Sequence, residues 1–181
     1  MRVVSGKVKG RKLEAVPGDS TRPILDRVKT ALFDVLRPSI QGAVVLDLFA
    51  GSGSVGIEAL SQGAEFCTFI DINKNAVETI KKNIASTGLA GQAEILNQDA
   101  FAYLKKAKKE FDLIYIAPPQ YKSIWNEAMH YIAERPEILK AEGMIIVQID
   151  PKEYEVVEMK DFVETEQRKY GSTLLVFYSR S

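Results

Sequence analysis

The dozen residues Asp47-Leu-Phe-Ala-Gly-Ser-Gly-Ser-Val-Gly-Ile-Glu58 constrain this chain more than any other segment. They follow an apolar run from Ala43 to Leu46 and open into helical spacing, so the segment reads strand, glycine loop, helix. Gly51, Gly53 and Gly56 fit G-x-G-x-x-G. The first permits a tight turn, the second lets a ligand approach bare backbone, and the third lets helix and strand pack closely. Such a loop holds a nucleotide-like ligand against a helix N-terminus. The glycines alone do not say which nucleotide.

From residue 43 onward strand and helix patterns alternate. Strands are predicted at 43–48, 66–71, 93–97, 112–116 and 144–150, and helices at 55–63, 73–87, 100–108 and 123–139. Apolar strands separated by helices argue for a parallel sheet covered on both faces. Residues 162–169 and 173–179 read as two strands joined through Tyr170-Gly171-Ser172, too close for a helix, so an antiparallel pair closes the sheet. Upstream, Leu25, Val28, Leu32, Val35 and Leu36 share one face of a helix expected from about Pro23 to Leu36, ended by Pro38 to Gly42. Residues 2–16 read as a small basic hairpin broken by Gly6 and Gly10. The expected division is an N-terminal extension, 1–21, on a body of residues 22–181.

A chain of 181 residues buries enough surface to fold without disulfide or metal. Its single cysteine, Cys67, lies in an apolar run and reads as a buried strand thiol. No stretch has the length of a membrane span and no signal-peptide core is visible, which points to a cytoplasmic protein. His130 has no Cys or His neighbour, so no metal site is expected, and Trp125 and Tyr131 read as packing. Net charge is zero from 24 basic and 24 acidic residues, but residues 1–40 carry +5 of it and the rest −5. A basic N-terminal block suggests a polyanion partner.

Ligands of open parallel sheets sit at the carboxyl ends of the strands. There the sequence puts Asp47, the glycine loop, Asp71, Asp99 and Ala117-Pro118-Pro119-Gln120-Tyr121. Asp71 follows Gly51 by 20 residues, the spacing at which an acid reaches a ribose diol; Asp99 can receive a base amine. Either acid can instead cap a helix. Two ligands compete, a dinucleotide such as NAD and S-adenosylmethionine. Asp47 before the loop is ill suited to a pyrophosphate and suited to an ammonium, which favours S-adenosylmethionine. Pro118-Pro119 strips two N–H donors and leaves carbonyls able to grip an amine, and Tyr121 can stack a base.

These residues resemble a known family. Asp47-Leu-Phe-Ala-Gly-Ser-Gly, Gly56-Ile-Glu-Ala-Leu-Ser-Gln-Gly-Ala64, the opening Met1-Arg-Val-Val-Ser-Gly-Lys, Gly10-Arg-Lys-Leu, and Arg22-Pro23 with Asp26-Arg-Val-Lys are similar to the RsmD family of bacterial small-subunit (16S) ribosomal RNA guanine-N2 methyltransferases. The resemblance implies a class I S-adenosylmethionine-dependent methyltransferase fold, Rossmann-like and α/β, with a seven-stranded sheet whose last strand is antiparallel and an N-terminal β-hairpin. It implies transfer to a guanine N2 of rRNA, free or in an assembling small subunit, by a monomer. On that reading Asp47, Gly51 and Gly53 cradle the methionine half of the donor, Asp71 binds its ribose, Ile72 lies beside its adenine and Asp99 takes the adenine amine, with Phe49, Gly56 and Ala100 also at the donor site. Arg2, Lys7, Lys9, Arg11 and Arg22 hold RNA phosphates.

Two departures stand out. The family has Asp or Asn, then Pro-Pro-Tyr, where this chain has Ala117-Pro118-Pro119-Gln120, and Ile24 replaces a threonine after Arg-Pro. An alanine methyl cannot accept a hydrogen bond from the target amine. Three readings follow: Gln120 supplies the acceptor, the substrate atom has changed, or the chain binds donor and RNA as an assembly protein without turnover.

Overall fold

The computed structural model describes residues 1–18, 23–120 and 123–181. Arg22 and Tyr121 therefore lie outside the described residues. The chain runs α1 (Asp26–Ile40), β1 (Val44–Asp47), α2 (Ser54–Ser61), β2 (Phe66–Asp71), α3 (Lys74–Thr87), β3 (Ala93–Asn97), α4 (Ala100–Lys106), β4 (Phe111–Ile116), α5 (Ile124–Glu134), β5 (Leu139–Ile149), β6 (Phe162–Tyr170) and β7 (Thr173–Arg180). The strands form one seven-stranded sheet in the order β3-β2-β1-β4-β5-β7-β6. The pairs from β3 to β5 are parallel, and β7 lies antiparallel between β5 and β6. The parallel sheet with its antiparallel closing pair is what the alternating pattern predicts, and the whole is the class I S-adenosylmethionine-dependent methyltransferase architecture that the resemblance implies.

Strand order reverses between β1 and β4, opening the crevice at which such sheets bind ligands. The two faces bury separate cores. One packs α1, α2 and α3 through Leu32, Leu36, Ile57, Leu60, Ile80 and Ile84. The other packs α4 and α5 through Leu104, Trp125, Met129 and Ile132. Cys67 is fully buried in the first.

Three boundaries differ from expectation. Helix α1 runs through Pro38 to Ile40, because Ile40 is buried and the final turn loses only one bond to the proline. The turn is closed at Gly42, with φ near +74° and its N–H donating to Gly63 O at 2.8 Å. Helix α5 stops at Glu134, not 139. Pro136 keeps Arg135 out of the helical region, and the Arg135 guanidinium caps the end of α4 through Leu104 O and Ala107 O. Strand β5 starts early, at Leu139, and bulges: Phe111 pairs with Leu139 but Leu113 with Met144. The non-alternating Lys140-Ala-Glu-Gly143 hid that strand from periodicity.

The N-terminal hairpin is present with minimal pairing, one antiparallel bridge between Arg2 and Lys12. It is held mainly by α2. Val4 and Ser5 N–H donate to the two Glu58 carboxylate oxygens at 2.9 and 3.0 Å, and Lys7 N–H donates to Ser61 O at 2.9 Å. Lys29 lies at the centre. It is fully buried, 3.1 Å from Glu58, and donates to Arg2 O and Ser54 Oγ. It therefore leaves the basic surface counted from the sequence.

Gly56 packs as its motif position requires. A Cβ there would lie 2.3 Å from the Phe69 ring and 2.7 Å from Cys67 Sγ. Gly56→Ala should cost about 1–3 kcal/mol by overpacking, read as a lowered urea midpoint with an unchanged slope.

Candidate active site

Two cavities meet at the β1/β4 crevice. The first is lined by Asp47, Phe49, Gly51, Ser52 and Tyr115, with Met1 and Val16 from the N-terminal segment forming one wall. The second is lined by Pro118, Pro119, Gln120, Arg27 and the β6–β7 tip at Tyr170 and Ser172. Pro23, Ile24, Ala117 and Gln148 line both.

Asp47 ends β1 with its side chain fully enclosed. Oδ2 accepts from Gly56 N–H at 3.2 Å, which lends α2 a cap from a neighbouring strand. Oδ1 has no hydrogen-bond partner among the described residues. Burial raises the carboxyl to about 7 from an ordinary 3.8; the Gly56 N–H opposes this, and the nearby Asp71 adds to it. An enclosed carboxylate with an orphan oxygen beside a cavity is arranged for a cationic group. Gly51 and Gly53 have φ of +56° and +82°, conformations that favour glycine.

Asp71 is engaged by backbone on both oxygens. It accepts from Gly51 N–H at 2.8 Å and Asn73 N–H at 2.9 Å, so the acid fixes the loop it faces. Ile72 beside it is exposed, with 70% of its surface accessible. Asp99 caps α4, accepting from Ala102 N–H at 2.9 Å, and Ala100 begins that helix, buried. The capping alternative is thus realised at Asp99.

At the end of β4, Ala117 is half-buried and Pro118 buried, while Pro119 and Gln120 are exposed. Among the proposed phosphate contacts, Arg2 is exposed and pairs with Asp26 at 3.4 Å. Lys7 reaches Gln92 at 2.8 Å and Arg11 donates to Ser86 O at 2.8 Å, while Lys9 is exposed. Three contributors were not singled out from the sequence. Tyr115 pairs in register with Asp47 and donates to Gln148 Oε1; burial and the Asp47 charge push its phenol well above the ordinary range. Asn83, buried, accepts from Glu14 N–H and donates to Ser52 O, joining the N-terminal segment to the glycine loop. The signal for Gln148 was available, a lone amide in Ile145-Ile-Val-Gln-Ile149.

The orphan Asp47 oxygen fits the ammonium of S-adenosylmethionine, and the glycine loop leaves backbone bare for the rest. Fold and site together define a methyltransferase of the class I, S-adenosylmethionine-dependent type.

The family profile described as conserved hypothetical protein 95 matches residues 1–179. The chain belongs to this family, the RsmD-like group of its resemblance. YlbH of Bacillus subtilis is 40% identical over 184 aligned residues, covering 99% of each chain. The ribosomal RNA small subunit methyltransferase D of Haemophilus influenzae is 35% identical over 153, covering 83% of this chain and 79% of that one. Among solved structures, yhhF from Escherichia coli superposes with a TM-score of 0.89 at 29% identity, covering 100% of this chain and 98% of that one.

Asp47 makes the free protein sensitive to pH. Its folded value, about 7, exceeds its ordinary 3.8, so the folded state holds the proton more tightly. Its contribution is fully present below about 3.8 and is lost as pH rises through about 7. Asp47→Asn should therefore gain stability relative to the parent as pH rises from 4 to 8, with a slope approaching ~1.4 kcal/mol per unit between about 4.5 and 6.5 that flattens above 7. Urea midpoints of both proteins across that range check it.

Proposed function

We propose that this protein transfers a methyl group from S-adenosylmethionine to the exocyclic N2 amine of a guanine in small-subunit rRNA, acting in the cytoplasm as a single chain. The observation that carries the reading is the meeting of two cavities at Ala117 and Gln148, one with an orphan buried carboxylate at a glycine loop, the other with a proline-rich exit. The name of the Haemophilus influenzae relative supports small-subunit rRNA as substrate.

In this reading Asp47 holds the donor's ammonium, Gly51 and Gly53 its methionine half with Phe49 beside them, Asp71 its ribose, Ile72 its adenine face, and Asp99 with Ala100 its adenine amine, while Gly56 serves the donor site by letting α2 pack closely on β2. The bound donor supplies a methyl carbon on a sulfonium, which departs with the carbon–sulfur electron pair left on sulfur. The chain's work is positioning. The Pro118 and Pro119 carbonyls orient the amine, and Arg2, Lys7, Lys9 and Arg11 of the 1–21 extension bind phosphates. Arg22 and Tyr121 keep the phosphate-holding and base-stacking roles drawn from the sequence.

Ala117 favours a second reading, an assembly protein that binds donor and RNA without turnover. An NAD-dependent oxidoreductase is opposed by Asp47, whose buried charge would face a pyrophosphate. Small subunits reconstituted from unmodified transcript should take up labelled methyl at one guanine N2, located by mass spectrometry of digests. Binding of donor and particle with no label favours the second reading; calorimetric binding of NAD with none of S-adenosylmethionine overturns both.

Two further outcomes follow. Donor affinity should fall up to about tenfold per pH unit below 7, as Asp47 takes up a proton, and Asp47→Asn should remove that dependence in calorimetry. Replacing Lys7, Lys9 and Arg11 together by glutamine should reduce the salt slope of RNA binding by about 2–3, read by fluorescence anisotropy.

A further inference from the structure

Resting on the methyl-transfer reading, we infer that Gln148 is the catalytic residue that accepts the target amine's hydrogen bond, a role Ala117 cannot fill and one of the three sequence readings gives to Gln120. Of the four described residues lining both cavities, Pro23, Ile24, Ala117 and Gln148, only Gln148 has a polar side chain. Gln120 lines the second cavity alone and is exposed.

Register places Gln148 beside the gap. Ile116 pairs with Val147 across β4 and β5, so one step further sets Ala117 against Gln148. Adjacent strands lie about 4.8 Å apart, and a glutamine side chain spans that interval. An acceptor absent from the end of one strand is thus present at the end of the next.

Tyr115 sets which way the amide faces. Its phenol is buried between Asp47 and Gln148, and it stays protonated because burial and the Asp47 charge oppose ionisation. A neutral phenol is able to donate. It donates to Gln148 Oε1, leaving that oxygen a second lone pair and Nε2 two protons. The Oε1 lone pair receives one amine N–H, and Nε2, without a hydrogen-bond partner among the described residues, can donate to N3, the acceptor ring nitrogen beside a guanine N2. Held this way, the amine nitrogen forms its bond to the methyl carbon while the carbon–sulfur pair stays on sulfur, and one N–H proton then leaves to water. A carboxamide takes the hydrogen bond and not the proton. Gln148 is a hydrogen-bonding group, and Tyr115 is the residue that positions it.

The test is labelled methyl transfer to reconstituted small subunits, alongside calorimetry with S-adenosylmethionine, anisotropy with RNA, and thermal melting. Gln148→Met fills the same space without a polar atom. It should lower kcat about 100-fold, by analogy with the loss of one transition-state hydrogen-bond donor, with both binding constants within twofold of the parent. Gln148→Glu retains an acceptor and should keep kcat within about fivefold at pH 8. Tyr115→Phe should lower kcat about tenfold alone and add nothing to Gln148→Met. Ala117→Asn should restore at least tenfold to Gln148→Met by returning an acceptor to β4. If the parent transfers label and Gln148→Met transfers it equally, or if donor binding falls in step with rate, the assignment is overturned while the methyltransferase reading stands. Full additivity of Tyr115→Phe and Gln148→Met overturns it likewise. If the parent transfers no label, both fall together.

Discussion

The arrangement of this site depends on one buried ion pair. Lys29 of α1 and Glu58 of α2 have no exposed surface and lie 3.1 Å apart. Burying two charges is costly unless every donor and acceptor finds a partner. Here they do. The three ammonium protons go to Glu58, Arg2 O and Ser54 Oγ, and the carboxylate also receives Val4 N–H, Ser5 N–H and Gln62 Nε2. The pair welds three segments distant in sequence: the hairpin, the first helix and the helix that begins at the glycine loop. Because of it Met1 and Val16 wall the first cavity. The hairpin is part of the cleft as well as a basic surface.

The glycine loop and the alternation were legible in the sequence because both are local. Gly56 announces a close approach by lacking a side chain, and the approach is found at Phe69 and Cys67. Asp99 was legible as either ligand group or cap, and its cap is present. What escaped depends on partners far along the chain. Lys29 stands three residues before Leu32 and seven before Leu36, on the core-facing stripe. Glu58 is the one charge in an apolar helix. Each is anomalous by itself, but nothing local joins residue 29 to residue 58. The bulge in β5 escaped because its partner strand defines it.

Asp47 and Asp71 divide two tasks that a sequence reading merges. Asp71 spends both oxygens on backbone N–H groups and shapes the loop before any ligand arrives. Asp47 spends one on α2 and keeps the other unpartnered. The first acid supplies shape and the second supplies charge. The burial that makes Asp47 unfavourable as an anion leaves it the group that gains most from a cation.

The two cavities share Ala117 and Gln148, which stand at the ends of neighbouring strands. Their relation is set by the β1–β4 and β4–β5 ladders, interior strands packed on both faces, with no hinge between them. Paired along their length and packed on both faces, such strands resist separation. For the proposed substrate, the burden of motion therefore falls on the nucleic acid. On that proposal a base held in a helical stack swings out of it to enter the crevice, at a cost of a few kcal/mol. Nucleotides already unpaired would then enter most cheaply, and the proposed cleft would choose among RNA sites by how easily each deforms.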